Sequence, residues 1–194
     1  MSSSSPEVGH PPSPVADTDR RTTVLDSAMV TFARFGYRKT SMEEVARAAR
    51  ISRPGLYFLF SSKEALFRAA VTQALERDLT AVEHVLAETG RPLAGRLVES
   101  FDHWAGRYIG PLARDVAVVI EENPDLLGEI VETAPLRFEE LITDAIALAA
   151  KSGREVARPV AQTLVSASIG LKHQAQEREF YLERLAVAVD LLAG

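Results

Sequence analysis

Helix starts follow one another so closely between Thr40 and Leu66 that only short helices joined by tight turns fit there. Ser41 and Glu44 form the S-x-x-E pattern of a capping box, in which serine and glutamate side chains satisfy each other's backbone N–H groups. Met42, Val45, Ala46 and Ala49 then recur at helical spacing as an inner face. Arg50-Ile51 makes the turn, and Ser52 caps the next helix. Pro54 fits the first turn of that helix, where its missing N–H costs little, and Leu56 and Phe60 point inward. Ser61 and Glu64 repeat the capping pattern and open a long helix through Phe67, Val71, Leu75 and Leu79. Two short helices at a tight turn, with a third helix directly behind, is a layout that lays the second helix in a DNA groove.

The flanks extend this pattern. Leu25, Ala28, Met29, Phe32 and Phe35 define one apolar face of a preceding helix, and Gly36 can end it in a left-handed cap. Residues 1–19 are rich in serine and proline and bury too little apolar area to offset ordering entropy, so a disordered tail is expected. Arg20 and Arg21 stand at its junction. They are either a basic arm for a groove or phosphate, or solvated residues of a helix start.

Charge is divided unevenly. Residues 20–68 hold ten Lys or Arg against four acids, a net +6, whereas residues 1–19 carry −3 and residues 69–194 carry −8. A basic lobe on an acidic body suits a chain in which one lobe meets phosphates. No apolar run approaches the length of a membrane span, and no signal peptide is evident. Cysteine is absent, which excludes disulfides and thiolate metal sites and is compatible with the reducing cytoplasm.

Beyond residue 68 the chain reads as helix after helix. Leu93, Leu97, Phe101, Trp104 and Tyr108 form a stripe on a fifth helix, broken at Gly110-Pro111. Asn123-Pro124 ends a sixth, and residues 125–151 read as helix with an interruption at Pro135. Two more follow, roughly 155–173 and 177–192. No β signal appears. The expected fold is all-α with about nine helices. An N-terminal three-helix domain spans 20–68, with its helix-turn-helix at about 41–60, and a larger helical domain spans 69–194.

The segments T-S-M-E-E-V-A-x-x-A, I-S-R-P-G-L-Y-F-L-F and S-S-K-E-A-L-F closely resemble the DNA-binding domain of the tetracycline-repressor (TetR) family of bacterial transcriptional regulators. The resemblance covers residues 20–68, about a quarter of the chain. It implies that 69–194 is an effector-binding and dimerisation domain. Two departures stand out. Arg50 takes a turn position where the family usually has glycine, so either the turn avoids positive φ or strain is tolerated for a cation there. Phe58 and Leu59 stand where polar or aromatic residues are common, which puts base readout by them in question.

Candidate DNA-binding residues are Thr40, Ser41, Ser52, Arg53, Pro54, Gly55, Tyr57 and Lys63. Arg53 opens the reading helix and either pairs with a guanine edge or contacts a phosphate. Pro54 could touch a thymine methyl, and Gly55 permits close approach; both also suit a plain helix start. Tyr57 resembles the family tyrosine whose hydroxyl meets a phosphate. Lys63 opposes the dipole of its own helix start, which a docked phosphate would explain. Thr40, Ser41 and Ser52 either bind phosphate or cap helices.

One reading helix covers too few base pairs, so a homodimer on a palindromic double-stranded operator is expected. Leu164, Ala167, Ser168 and Leu171, with Leu182, Leu185 and Val189 on the last helix, are the candidate interface; an intramolecular core competes for each. Phe101, Trp104, Tyr108, Phe138 and Ile142 are the candidate lining of a small-molecule effector pocket, with core packing as the competing role. Glu121, Glu122 and Asp125 either favour a cationic ligand or are solvated. The four histidines show no metal-ligand spacing, and no hydrolase or phosphate-loop motif occurs, so neither enzyme, metal nor cofactor is expected. The expected function is a cytoplasmic, ligand-responsive DNA-binding regulator, a repressor by preference. The rivals are a nonspecific or architectural DNA binder and an all-α enzyme.

Overall fold

The computed structural model describes residues 14–110 and 126–193. The expected break at Pro111, the helix end at Asn123-Pro124 and the acids Glu121, Glu122 and Asp125 lie outside them, as does most of the expected tail. Among the described residues there are eight α-helices, one 3₁₀ turn and no strand. The helices are α1 (Pro14–Phe35), α2 (Met42–Ala48), α3 (Arg53–Leu59), α4 (Lys63–Ala87), α5 (Leu93–Trp104), α6 (Ile130–Ala150), α7 (Arg154–Gln174) and α8 (Arg178–Ala193). The 3₁₀ turn is Gly106–Tyr108.

The local starts and stops obey the chemistry of their residues. Gly36 ends α1 at φ 77°. Ser41 and Glu44 make the full capping box at α2, and the backbone N–H of Ser41 holds the Glu44 carboxyl below the usual carboxylate range. Ser52 caps α3 by accepting from the Gly55 N–H. The expected box at Ser61 and Glu64 is displaced by one residue: Ser62 is the cap of α4 and accepts from the Ala65 N–H. The tail expectation also needs correction, because α1 begins at Pro14 and residues 14–19 are helical. Arg20 and Arg21 therefore belong to a helix and not to an arm. Nor does Pro135 interrupt its helix: α6 runs through it, forgoing one backbone hydrogen bond.

Arg50 stands at φ 55°, so the strained branch of the turn expectation is the one realised. A left-handed arginine costs roughly 1–2 kcal/mol, while glycine's extra chain entropy offsets roughly half of that. Arg50→Gly is therefore expected to stabilise the chain by about 0.5–1 kcal/mol in a denaturant titration. A destabilised variant would mean that the arginine side chain holds the turn.

Two apolar cores result. The first joins α1 to α4 through Leu25, Phe32, Val45, Leu56, Phe60 and Phe67. Phe35 departs from its expected inward face and is 45% exposed, with the Arg34 guanidinium over its ring. The second core is built by α5 to α8 around Leu97, Phe138, Ile142, Leu164, Tyr181 and Leu185. The helix α4 contributes to both, with Leu66 and Phe67 in the first and Val82 and Leu86 in the second. Leu127, far along the chain, is 2% exposed inside the first core. The Arg68 Nε donates to the Leu126 carbonyl at 2.6 Å beside it.

Candidate nucleic-acid interface and adjoining cavity

The helix α3 is held from behind. Leu56 and Phe60 are buried in the first core. Arg21 reaches across from α1, donating to the Leu59 carbonyl at 3.3 Å, and its guanidinium lies 4.4 Å from the Phe60 ring centre. A cation at a helix C-terminus suits the dipole there. The opposite side of α3 is open. Ser52, Arg53 and Pro54 are exposed, Tyr57 is 43% exposed and Phe58 is 86% exposed. Arg53 lies over the Tyr57 ring, one helical turn away.

The candidate DNA contacts separate accordingly. Ser41 and Ser52 are exposed but serve as caps, and Gly55 is half-buried, with Arg20 close to where a Cβ would stand. Thr40 requires correction. It is 2% exposed, and its hydroxyl donates to the Gly36 carbonyl at 2.8 Å, so it fastens the end of α1 and does not face outward. Lys63 has an internal role: its Nζ donates to the Tyr37 and Thr40 carbonyls at 2.9 and 3.0 Å and sits 4.4 Å from the Tyr37 ring centre. An ammonium has three donors, so one remains for a phosphate. Phe58 is the outward residue that sequence reasoning set aside. Its signal was the spacing: it falls one turn beyond Pro54, on the same face.

A cavity of about 330 Å³ lies between the two cores. Of the expected lining, Phe101, Trp104, Tyr108 and Phe138 are present. Ile142 is not; it is fully buried in the second core, a corrected expectation. Met29 of α1 and Val71, Ala74 and Leu75 of α4 complete one wall, so the first lobe forms part of the cavity. Trp104 stacks on Phe138 with ring centres 4.8 Å apart and planes 9° from parallel. Behind Tyr108 lies fully buried Asp78, on the inner stripe of α4. The Tyr108 hydroxyl donates to its carboxylate, and Arg107 pairs with it at 3.0 Å. Burial pushes the Asp78 carboxyl above its usual range, and burial, with Asp78 next to it, raises the Tyr108 hydroxyl too. An acid at the spacing of Ala74 and Val82 was the available sign of this group.

The expected dimer residues are mostly turned inward. Leu164, Leu185 and Val189 are fully buried within the chain, and Ser168 is 3% exposed, sharing a 2.7 Å hydrogen bond with Tyr181. These four belong to the protomer's own structure. Ala167, Leu171 and Leu182 are half-buried. The exposed apolar residues of α8 are instead Phe180, Val187, Leu191 and Leu192, with Val156 on α7. The first three fall on one face of α8 at i, i+7 and i+11.

Residues 24–70 match the family described as bacterial regulatory proteins, tetR family. These residues carry a TetR-type helix-turn-helix. The chain is 26% identical over 159 residues to the nicotine-responsive transcriptional repressor HdnoR of Paenarthrobacter nicotinovorans, covering 78% of this chain and 80% of that protein. It is 37% identical over 57 residues to the regulator RutR of Escherichia coli, spanning only 29% of this chain and 27% of that one. Among solved structures, a TetR-family regulator from Mesorhizobium loti superposes with a TM-score of 0.72 at 18% identity, covering 90% of this chain and 95% of that chain. Escherichia coli NemR superposes at 0.73 with 16% identity, covering 90% and 98%. These two establish the fold: a helix-turn-helix lobe followed by a helical domain. The relatives it matches are named as transcriptional regulators, and residues 24–70 carry the helix-turn-helix described for that family. Among the described residues no helix is long and apolar enough to cross a membrane.

Proposed function

We propose that this protein is a cytoplasmic homodimeric repressor that binds a palindromic double-stranded operator and leaves it when a small molecule enters the cavity. The observation that carries the proposal is the outer face of α3: Arg53, Tyr57 and Phe58 exposed, with the same helix anchored inward by Leu56 and Phe60. On this reading residues 20–68 bind DNA and residues 69–194 bind effector and partner. Arg53 reads a base edge, Pro54 and Phe58 offer apolar contact to thymine methyls, and Tyr57 and Lys63 hold phosphates. Ser41 and Ser52 remain caps.

The rival of nonspecific coating predicts equal losses on all sequences. Specific reading predicts that Arg53→Ala weakens operator binding roughly 10- to 100-fold and relaxes preference at one position of each half-site. A quantitative binding assay across base substitutions checks this, and a uniform loss would support the rival. Lys63→Ala is expected to act uniformly, lowering the salt slope by about 1. An unchanged slope would leave Lys63 with only its internal role.

For the dimer, the outward stripe of α8 replaces the residues expected from sequence. Phe180, Val187 and Leu191 would pack against their symmetry mates, with Val156 at the edge. Ala167, Leu171 and Leu182 fit around that seam. Small-molecule control is supported by the cavity and by the nicotine response in the name of a relative. A ligand wedged between α1, α4 and α6 would alter the tilt of α4 and with it the spacing of the two α3 helices.

A further inference from the structure

Two arginines of α1 reach α3, and they end in different places. Arg21 is engaged with the chain itself, at the Leu59 carbonyl and the Phe60 ring. Arg20 is exposed, and its guanidinium lies beside Gly55, with Nη2 3.6 Å from where a Cβ on that glycine would stand. That is an ordinary van der Waals distance, so the guanidinium packs along the flank of α3 that the glycine leaves bare. Among the described residues Arg20 makes no hydrogen bond or ion pair.

The order of residues around α3 shows what that flank faces. At 3.6 residues per turn, successive side chains stand about 100° apart. Phe58, 86% exposed and nearly opposite buried Leu56, marks the outward direction. Tyr57 stands about 100° to one side of Phe58 and Gly55 about 60° to the other. The outward face is thus flanked by a phenol on one side and, across the bare glycine, by the Arg20 guanidinium on the other. A major groove is about 12 Å wide, and an α-helix with its side chains is about 10–12 Å across. A helix lying in the groove fills it, so groups on its two flanks stand against the two rows of phosphates, away from the base edges on the floor.

We propose that Arg20 is a phosphate contact outside the helix-turn-helix, gripping the DNA backbone on the Gly55 flank of α3 while Tyr57 holds the backbone on the other. The guanidinium offers a planar fork of N–H donors that matches two phosphate oxygens. The contact adds affinity and fixes the register of α3 in the groove, and it carries no base preference. It rests on the DNA-reading role of α3 proposed above and adds a residue from a helix that the reading motif does not include.

The test uses the full chain and the duplex it selects from a random pool, with binding followed by fluorescence anisotropy across a range of salt. Arg20→Ala is expected to weaken binding roughly 5- to 20-fold. The factor should be the same on the selected duplex and on versions with single base changes, and the salt slope should fall by about 1 per half-site. Arg20→Lys keeps the charge and should keep the slope. Duplexes with one phosphate at a time replaced by an uncharged methylphosphonate locate the contact: one position per half-site should weaken the parent and leave Arg20→Ala unaffected. Arg20→Ala should melt with the parent, whereas a residue that only holds α1 against α3 would lower the melting temperature without a phosphate-specific signal. An unchanged slope, no phosphate whose effect disappears in Arg20→Ala, or a loss confined to particular base pairs overturns the contact and leaves reading by α3 standing. A parent that binds no duplex overturns both.

Discussion

Val187→Glu is expected to leave the helices intact and split the dimer. Val187 is 57% exposed within one protomer, so the substitution costs the isolated fold little. In the proposed assembly it would put two carboxylates into an apolar seam with little water. Light scattering should then give the mass of one chain at concentrations where the parent gives two. Operator affinity should fall by about 10²–10⁴, because the second half-site no longer benefits from the tethering of the first. The same charge at Glu183 or Asp190 is already tolerated on exposed positions of α8, so helix disruption does not account for the loss. A variant that remains dimeric would move the seam to another face.

Leu127→Ala is expected to loosen the DNA-binding lobe from a position far outside it in sequence. Leu127 is 2% exposed in the first core, and leucine-to-alanine changes at such sites cost about 2–5 kcal/mol. The residue lies just ahead of α6, the helix that carries Pro135 and Phe138 into the cavity wall. It is thus positioned as a plug linking cavity and lobe. Hydrogen exchange should quicken in α1 and the first half of α4, while α7 and α8 keep their protection. DNA affinity should fall in the absence of any ligand. The reverse pattern, with loss confined to α7 and α8, would remove Leu127 from the first core's support.

Local chemistry was legible in the sequence wherever a residue acts on its own turn. Ser41 with Glu44, Ser52, Gly36 and the inward pair Leu56 and Phe60 all behave as their spacing dictates, because capping and periodicity involve neighbours a few residues apart. Ser61 failed by one position because the box pattern selected it through Glu64, whereas the neighbouring Ser62 hydroxyl takes the cap by accepting from the Ala65 N–H. Thr40 was legible as a polar residue near a helix start, but not as one folded back onto the Gly36 carbonyl. The last two helices were harder still. Each carries more than one apolar stripe, and only the packing of α8 on α5 and α7 decides that Leu185 and Val189 face inward while Val187 and Leu191 face out. The cavity was half legible. Its aromatic stripe lies on neighbouring turns, whereas Met29, Val71 and Lys172 arrive from three other helices whose meeting is a tertiary fact. Asp78 and Leu127 belong to the same class: an acid inside and a distant plug, each given meaning by a partner remote in sequence.

The central claim is that α3 is presented to base edges twice per assembly. It is tested most directly by footprinting the protein on DNA selected from a random pool. The account predicts two protected half-sites related by a dyad, with centres about 34–36 Å apart or a multiple of that, and Arg53→Ala erasing preference at the same position in each. A single asymmetric footprint, or selected sequences with no shared half-site, would contradict it.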